Sequence, residues 1–175
     1  MQKILLKIDK PDFTLLNCSQ IECFILSSKL EKSFISKFQE LASSNDKIVL
    51  IEGDNSVDLC QELNLDGIII DLSKSESLTK DLKYIKQTLK DKIIGVIPRL
   101  RKHETMVVAE LEPDFIIFKA WKDGFDNIKA LIDWYMEFFL IQSATYLEEN
   151  IGSLENLSSD MVILNHDLYK ILVEK

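Results

Sequence analysis

Short apolar segments alternate along this chain with segments in which hydrophobic residues return every three or four positions. The short segments are mostly apolar at consecutive positions instead of alternate ones, a pattern typical of strands that are buried on both faces. We predict a strand for each of them, at residues 3–8, 22–27, 47–52, 67–72, 92–97, 114–120, 139–144 and 161–166.

Helical faces follow several of these predicted strands. The apolar positions that define them are Leu30, Phe34, Phe38 and Leu41, then Leu78, Leu82, Ile85 and Leu89, and finally Leu131, Trp134 and Phe138. Strands that alternate with helices need crossover connections, and crossovers produce a parallel sheet. The pattern therefore predicts an α/β fold, a compact (β/α)8 barrel of the TIM type. An open doubly wound parallel sheet is the alternative, should the first segment lie outside the barrel.

The length of the chain restricts how such a barrel is built. Its 175 residues are fewer than the ~250 of a typical (β/α)8 barrel. Residues 9–21 show no clear helical period, residues 145–160 allow a short helix at most, and few residues follow the last predicted strand. We therefore expect eroded first and last helices. We also expect a single domain over residues 1–175, because no linker, low-complexity tract or repeat divides the chain.

A net charge of −8 and a pI near 4.8 make the chain acidic. Nucleic-acid binding needs a basic face that neutralises phosphates, so we expect no nucleic-acid partner. The three cysteines form no CxxC pair and the first residues do not read as a signal peptide, which is typical of reduced thiols in a cytoplasmic protein. The most apolar stretch is far shorter than a membrane span, so we expect no membrane partner.

Ligands of parallel α/β folds bind at the carboxyl ends of the strands, so the polar residues there are the first candidates for a site. Any parallel sheet ends in polar residues that meet water or cap helices, which is the alternative explanation for each of them. The candidates are Ser27, Ser28, Glu52, Asp54, Asp71, Pro98, Arg99, Lys119, Gln142, Ser143, Asn165 and His166.

Some of these positions carry specific chemistry. Arg99 suits a phosphate through two parallel N–H bonds, although a solvated surface position beside Arg101 explains it equally well. Lys119 suits a Schiff base or a phosphate, although lysines at strand ends more often extend into solvent. Asp54 and Asn55 precede a predicted helix, where capping explains them without a ligand.

Several well-known site motifs are absent from the sequence. It contains no GxSxG, no P-loop and no GxGxxG, and only five glycines. The two histidines, His103 and His166, have no second ligand at metal-binding spacing, so we expect no zinc site.

Three segments, IEGDNSVDLCQELNLDGIIIDL, KIIGVI and PDFIIFK, resemble the middle of the thiamine phosphate synthase family, and the resemblance covers residues 48–119. Family members typically read IxNDRVDLAxxxxADGVHLGQxD, xIIGVS and ADYVGFG at the corresponding places. The resemblance implies a compact (β/α)8 barrel. It also implies an enzyme that joins hydroxymethylpyrimidine diphosphate to a thiazole phosphate, with Mg²⁺ neutralising the departing pyrophosphate.

Few of the family's ligand positions are kept. In the pattern that binds pyrophosphate, Ile25 and Ser27 replace a glutamine and an arginine, and only Lys29 matches. The family's Asn-Asp pair falls on Asp54 and Asn55, so the carboxylate and the amide have exchanged places. We therefore predict no metal site, with Asp54 as the remaining candidate ligand, and Mg²⁺ is implied only if synthase activity survives.

Other replacements affect the phosphate and metal positions directly. Lys74 stands near the family's acidic metal position, where it would repel Mg²⁺. Ile97 replaces a serine and Lys119 replaces a glycine, so their bulk occupies space that a phosphate needs. The Gly-Gly turn that receives the thiazole phosphate is absent from the segment FLIQSATYLEEN.

These observations favour a divergent barrel of the thiamine phosphate synthase type that lacks synthase activity, either a pseudoenzyme or a small-ligand-binding protein. The alternative is an active enzyme, of the synthase type or with a rearranged site, that acts on a small phosphorylated substrate. Asp71 and Lys119 are then the catalytic candidates. The candidate ligand-binding residues are Lys29, Asp54, Asn55, Arg99 and Lys119.

The segment IKALIDWYMEFFLIQ carries more apolar bulk than one helical face needs. Two explanations remain open. The helix packs deeply against the sheet, or Trp134, Tyr135 and Phe138 form a homodimer interface.

Overall fold

Eight parallel strands form the centre of the structure, a computed structural model that describes residues 2–174. They are β1 (Lys3–Ile8), β2 (Cys23–Ser27), β3 (Ile48–Glu52), β4 (Gly67–Asp71), β5 (Ile93–Ile97), β6 (Phe115–Ala120), β7 (Gln142–Leu147) and β8 (Met161–Asn165). Each strand pairs with the next, and β8 pairs with β1, so the sheet closes into a barrel. The predicted (β/α)8 barrel is therefore confirmed, and the open doubly wound sheet is excluded.

The helices around the barrel are fewer than eight. Within residues 2–174 the α-helices are α1 (Lys32–Ser44), α2 (Ser56–Glu62), α3 (Leu78–Thr88), α4 (Lys102–Glu110), α5 (Phe125–Phe138) and α6 (His166–Leu172). A short 3-10 helix at Phe13–Asn17 stands where the first helix is expected, and residues 148–160 between β7 and β8 are irregular. The first and last helices are thus eroded as predicted, which accounts for the small size.

Side chains that alternate along the strands form two apolar layers, because successive residues of a strand point to opposite faces. The outer faces of the strands pack against the helices, for example Phe24 and Phe118 against Phe38 and Tyr135. The inner faces fill the middle of the barrel with Leu5, Ile25, Leu50, Ile69, Ile117, Ala144 and Ile163. Apolar faces on both sides explain why the strands are apolar at consecutive positions.

The seventh strand begins three residues later than predicted. The apolar run at residues 139–141 belongs to the end of α5: the ring of Phe139 stacks on that of Tyr135 at 5.0 Å, and the Tyr135 hydroxyl donates to the Ile141 carbonyl. Leu140 is fully exposed. As a result Gln142 and Ser143 lie at the amino end of β7, away from the strand end where the sequence analysis placed them.

Three aspartates bind backbone amides at the amino end of the barrel. Each one directly precedes an even-numbered strand, and its carboxylate accepts from the second residue of the preceding odd-numbered strand. The pairs are Asp66 with Val49 N at 2.8 Å, Asp114 with Ile94 N at 2.7 Å and Asp160 with Ser143 N at 2.8 Å. Charge-assisted bonds of this kind are stronger than neutral ones. The aspartate of the Asp-Gly pair that opens β4 is therefore structural.

Some of the apolar side chains of α5 are packed against the rest of the structure, and others are exposed. Tyr135 is buried, and the half-buried Trp134 ring lies 5.5 Å from the Phe139 ring, with the Lys102 ammonium 5.1 Å from its centre. Phe138 is exposed. Deep packing thus explains Tyr135 and leaves Phe138 at the surface. Across residues 2–174, none of the helices has the length and apolar character needed to span a membrane.

Candidate functional site

A cluster of polar side chains lies at the carboxyl end of the barrel. Five members lie on strands and have the same orientation as an apolar inner residue two positions earlier, so the strand alternation directs them inward or just above the barrel, and the sixth directly follows β7. We call this group the mouth cluster. It consists of Lys7, Glu52, Asp71, Lys119, Tyr146 and Glu148.

One half of the mouth cluster is closed by its own contacts. The Lys7 ammonium binds the Glu52 carboxylate, and their side chains are only 9% and 15% exposed. The Tyr146 hydroxyl donates to the same Glu52 oxygen at 3.2 Å. Burial, and next the charge of Glu52, raises the pKa of Tyr146, so its hydroxyl stays protonated and available as a donor. These three side chains fill one side of the mouth.

Lys119 forms the other half of the mouth cluster. Its ammonium lies 3.7 Å from an Asp71 oxygen and 3.6 Å from a Glu148 oxygen, with the centre of the Tyr146 ring at 5.6 Å. The Lys119 side chain is 24% exposed. Both carboxylate distances are longer than a hydrogen bond, so the ammonium keeps N–H groups that a ligand can use.

Lys119 also lines a cavity of about 340 Å³, which we call the mouth cavity. Its walls come from the segments that follow β4, β5 and β6, namely Ser73, Ile97, Pro98, Arg99, Leu100, Arg101, Lys119 and Trp121. Three of these side chains are cationic and none is acidic. The Arg99 Nε donates to the Ser73 carbonyl at 2.7 Å, which orients the guanidinium and leaves its terminal N–H groups for an anion.

Arg99 separates the mouth cavity from a second cavity of about 550 Å³ between the amino ends of α3 and α4. This second cavity carries both signs of charge, from Lys80 on one hand and Glu76 and Glu104 on the other. An anion is therefore favoured on the mouth-cavity side of Arg99, and the other side has room for an uncharged part of a larger ligand.

The structure brings together some of the predicted site residues and not others. Asp71 and Lys119 are neighbours, and Arg99 and Lys119 line one cavity. Lys29 is exposed after β2. Asp54 and Asn55 are exposed in the turn that leads into α2, where Asn55 occupies the N-cap position in the left-handed conformation, without a side-chain cap bond. None of the last three lines the mouth cavity.

Sequence reasoning missed Lys7, Tyr146 and Glu148. Lys7 stands two residues after Leu5 in an otherwise apolar strand, so the alternation could have marked it as an inward charge. Tyr146 and Glu148 were hidden by the misplacement of the seventh strand, because the sequence analysis assigned them to the following link. With β7 in its observed register, both residues lie at the mouth.

The residues at the mouth do not fit the Mg²⁺ that the family resemblance implies. Among residues 2–174, no group of three His, Cys, Asp or Glu side chains is arranged to hold a metal ion. Glu52 faces Lys7, while Asp71 and Glu148 face Lys119. The Lys7 and Lys119 ammonium groups lie beside the carboxylates that would have to bind Mg²⁺, and their positive charge repels the metal ion.

The region after β7 does not suit a phosphate. In (β/α)8 barrels a phosphate is frequently bound by the links that follow the seventh and eighth strands. In this chain Glu148 and Glu149 follow β7 directly, and Glu149 accepts the backbone N–H of Lys122 at 3.0 Å. Two carboxylates oppose an anion there, so the cationic side of the mouth lies instead between β4 and β6.

No family model and no curated protein matches the chain. Solved structures share its fold at low sequence identity. The 3-keto-L-gulonate-6-phosphate decarboxylase of Vibrio cholerae has a TM-score of 0.66 and 10% identity, over 94% of this chain and 88% of that one. For the orotidine 5′-phosphate decarboxylase of Thermotoga maritima the TM-score is 0.61 and the identity 10%, over 96% and 92% of the two chains.

A truncated 3-deoxy-D-arabino-heptulosonate 7-phosphate synthase of Thermotoga maritima is also similar. Its TM-score is 0.67 and its identity 11%, over 94% of this chain and 74% of that one. At such identities these structures support the (β/α)8 barrel fold. The membership of the thiamine phosphate synthase family stays a prediction.

Proposed function

We propose that this chain binds a small phosphorylated or carboxylated molecule in the mouth cavity, and that it is a divergent barrel of the thiamine phosphate synthase type without synthase activity. One observation carries the proposal: Lys119, Arg99 and Arg101 line a single cavity that has no acidic lining residue. In a chain of net charge −8, such a local excess of positive charge is where an anion is attracted.

The shape of the mouth cavity supports an anion attached to a larger group. Arg99 presents a planar set of donors that suits two oxygens of a phosphate or carboxylate. The exposed Trp121 ring adds an apolar wall for the rest of the molecule. The volume of about 340 Å³ lies at the lower end of the range for small-molecule sites. The ligand is therefore a small one.

The charges at the mouth support the proposed absence of synthase activity. The synthase reaction needs Mg²⁺ to neutralise a leaving pyrophosphate, and ammonium groups face the mouth carboxylates that could bind the metal. The acidic segment after β7 also opposes the second phosphate substrate. We expect hydroxymethylpyrimidine diphosphate, thiazole phosphate and Mg²⁺ together to give no thiamine phosphate; measurable turnover would contradict this part of the proposal.

Binding of an anion is tested by isothermal titration with ribose 5-phosphate, with ribose as the uncharged control. We expect Arg99→Ala and Lys119→Ala each to weaken the binding of ribose 5-phosphate by about 10- to 100-fold, because each removes charged hydrogen bonds. Lys129→Ala is the matched control, since Lys129 pairs with Asp133 on the surface of α5. Equal affinity for ribose, or an equal loss with Lys129→Ala, would contradict the proposal.

The position of Lys119 favours a second candidate function, that of an enzyme with a rearranged site. Lys119 borders the mouth cavity and lies between two carboxylates, so a bound molecule would meet a cation that stabilises developing negative charge. Asp71 and Glu148 are the nearby groups that could move a proton. Three structural neighbours carry phosphorylated compounds in their names, which agrees with such a substrate class.

This second candidate predicts proton exchange at a carbon beside a carbonyl group. Ribulose 5-phosphate incubated with the protein in D₂O would then gain deuterium, as followed by NMR, and Asp71→Asn would abolish the gain. If the unsubstituted protein gives no exchange at a concentration where ribulose 5-phosphate is bound, the enzyme hypothesis is contradicted. The hypothesis of a binding protein would then be retained.

A further inference from the structure

The amino end of the barrel contains a cavity of about 670 Å³, which is larger than the mouth cavity. We call it the amino-end cavity. It reaches from the edge of the barrel to Leu5 and Leu50, two buried residues of the inner apolar layer. Its other apolar walls are Ile4, Cys23, Ile48, Ile93, Phe115 and Met161.

Two inward glycines, Gly67 and Gly95, lie directly against residues that line this cavity. Gly95 of β5 contributes no side chain, and a Cβ there would lie 2.4 Å from the ring of Phe115. The Phe115 ring therefore lies across Gly95 and forms part of the cavity wall. At Gly67 of β4 a Cβ would lie 2.1 Å from the Ile93 carbonyl oxygen, so this inward position cannot be filled either.

Solvent reaches apolar side chains that a (β/α)8 barrel normally buries. The interior of such a barrel is usually a packed core. In this chain Ile48 points inward yet is 37% exposed, and Cys23 and Ile93 are only half-buried. Covering these walls with an apolar molecule would remove them from water, which is favourable in proportion to the area buried.

The rim of the amino-end cavity is polar and close to neutral. Three glutamines, Gln2, Gln20 and Gln142, supply amides that both donate and accept hydrogen bonds. One lysine and two acids are also present, and the Asp114 carboxylate already accepts the Ile94 amide. This rim does not favour an anion, in contrast to the mouth cavity.

We propose that the amino-end cavity binds a compact uncharged molecule that has an aromatic or alicyclic body and a hydroxyl or amide group. The body would cover the apolar walls, and the polar group would meet the glutamine amides. An eight-stranded barrel is just wide enough inside for side chains or one small ligand, so a strand or helix of another protein does not fit at the depth of Leu5 and Leu50. The inference is independent of the function proposed for the mouth.

The test uses the full chain with labelled isoleucine and methionine methyl groups, and 2-naphthol as the probe. We expect saturable NMR shifts at Ile48, Ile93 and Met161, which line the amino-end cavity, and none at Ile97, which lines the mouth cavity. The matched anion 2-naphthoate should bind the amino-end cavity more weakly. Absence of saturable shifts, or equal binding of 2-naphthoate at these residues, would overturn the proposal.

Two variants locate the binding. Cys23→Phe adds bulk inside the cavity, and Ile48→Trp does so from a partly exposed position that is less sensitive to folding. Each variant should weaken the binding of 2-naphthol by about tenfold or more, since small changes of fit in an apolar pocket have effects of this size. Met106→Trp, at a similarly exposed apolar residue of α4, is the control and should leave the affinity unchanged. Unaltered affinity in both cavity variants would overturn the proposal, as would a dimer whose contact surface covers the cavity.

Discussion

The two ends of the barrel differ in how their inward positions are filled. At the carboxyl end, charged and hydroxyl groups face one another, and the Lys7–Glu52–Tyr146 contacts close half of the mouth. At the amino end, apolar side chains surround an open space, and the nearby aspartates bind backbone amides of the strands. The same eight strands thus present a charged surface at one end and an apolar cavity at the other.

This difference shows where each kind of ligand is favoured. An anion is favoured where the lining residues are cationic, which is the case in the mouth cavity with Arg99, Arg101 and Lys119. An uncharged apolar molecule is stabilised where it removes apolar surface from water, which occurs at the opposite end. Experiments that disturb one end and leave the other intact therefore test the comparison.

The largest effect is expected from breaking the buried ion pair at the mouth. Glu52→Ala leaves the buried Lys7 ammonium with the exposed Asp9 carboxylate 3.9 Å away in place of its close partner, and removes the acceptor of the Tyr146 hydroxyl. We expect a loss of about 3–5 kcal/mol in the free energy of unfolding, measured by urea denaturation. The double variant Lys7→Met/Glu52→Leu should lose much less, since no unpaired charge remains. A change for Glu52→Ala below about 1 kcal/mol, as for a surface pair, would show that the mouth is hydrated and open.

An intermediate effect is expected at the amino end. Asp114→Ala removes the carboxylate that accepts the Ile94 amide, and the free energy of unfolding should fall by about 1.5–3 kcal/mol. Asp114→Asn keeps an oxygen acceptor and should lose less. Asp123→Ala, at an exposed position, is the control and should stay within about 0.5 kcal/mol. Equal effects of Asp114→Ala and Asp123→Ala would refute the structural role of the aspartates.

The stability of the folded protein should depend on pH above about 9, because two cysteines and Tyr146 have raised pKa values. Burial, and next the charge of Asp66, raises the pKa of Cys23 from 9.0 to about 12, and burial raises the pKa of Cys60 to about 11. The folded protein then keeps protons that the unfolded chain releases. Its stability should be complete below pH 9 and fall as the pH rises from 9 towards 12.

Variants assign this pH dependence to particular groups, with urea denaturation at a series of pH values as the measurement. Cys23→Ala/Cys60→Ala should move the onset of the fall from pH 9 to about 10, where tyrosines ionise in the unfolded chain. Tyr146→Phe should leave the range from 9 to 10 unchanged and reduce the slope above it. An unchanged onset in the cysteine variant would mean that the folded protein does not raise the pKa values of these thiols.

The smallest effect on stability is expected outside both ends. Phe138→Ser and Leu140→Ser replace exposed side chains and should change the free energy of unfolding by no more than about 0.5 kcal/mol. The homodimer hypothesis for α5 predicts a dimer of the unsubstituted chain in light scattering and a monomer of Phe138→Ser. A monomeric unsubstituted chain at high concentration would refute it.

Most of the fold could be predicted from the sequence because the strands are buried on both faces. Seven of the eight predicted strands lie within one residue of the observed bounds. The exception, β7, follows an apolar run that packs on α5, and hydrophobicity alone does not show whether a run packs on a helix or pairs in a sheet.

The candidate site was less predictable because its contacts join distant parts of the chain. Asp71, Arg99 and Lys119 were identified from their places at strand ends, and the structure brings them close together. The contact of Lys7 with Glu52 spans 45 residues, and that of Tyr146 with Glu52 spans 94. Pairing over such distances leaves no local pattern in the sequence. The wall of the amino-end cavity has the same origin, since the Phe115 ring in that wall lies against Gly95 of the neighbouring strand.

An NMR titration of the methyl-labelled protein with ribose 5-phosphate tests most directly whether the two ends are distinct in charge and ligand. Ile97 lines the mouth cavity, whereas Ile48 and Ile93 line the amino-end cavity, so one residue type reports on both ends. We expect a saturable shift of the Ile97 methyl resonance and no change at Ile48 and Ile93. Shifts at Ile48 or Ile93, or no saturable shift at Ile97, would contradict the account.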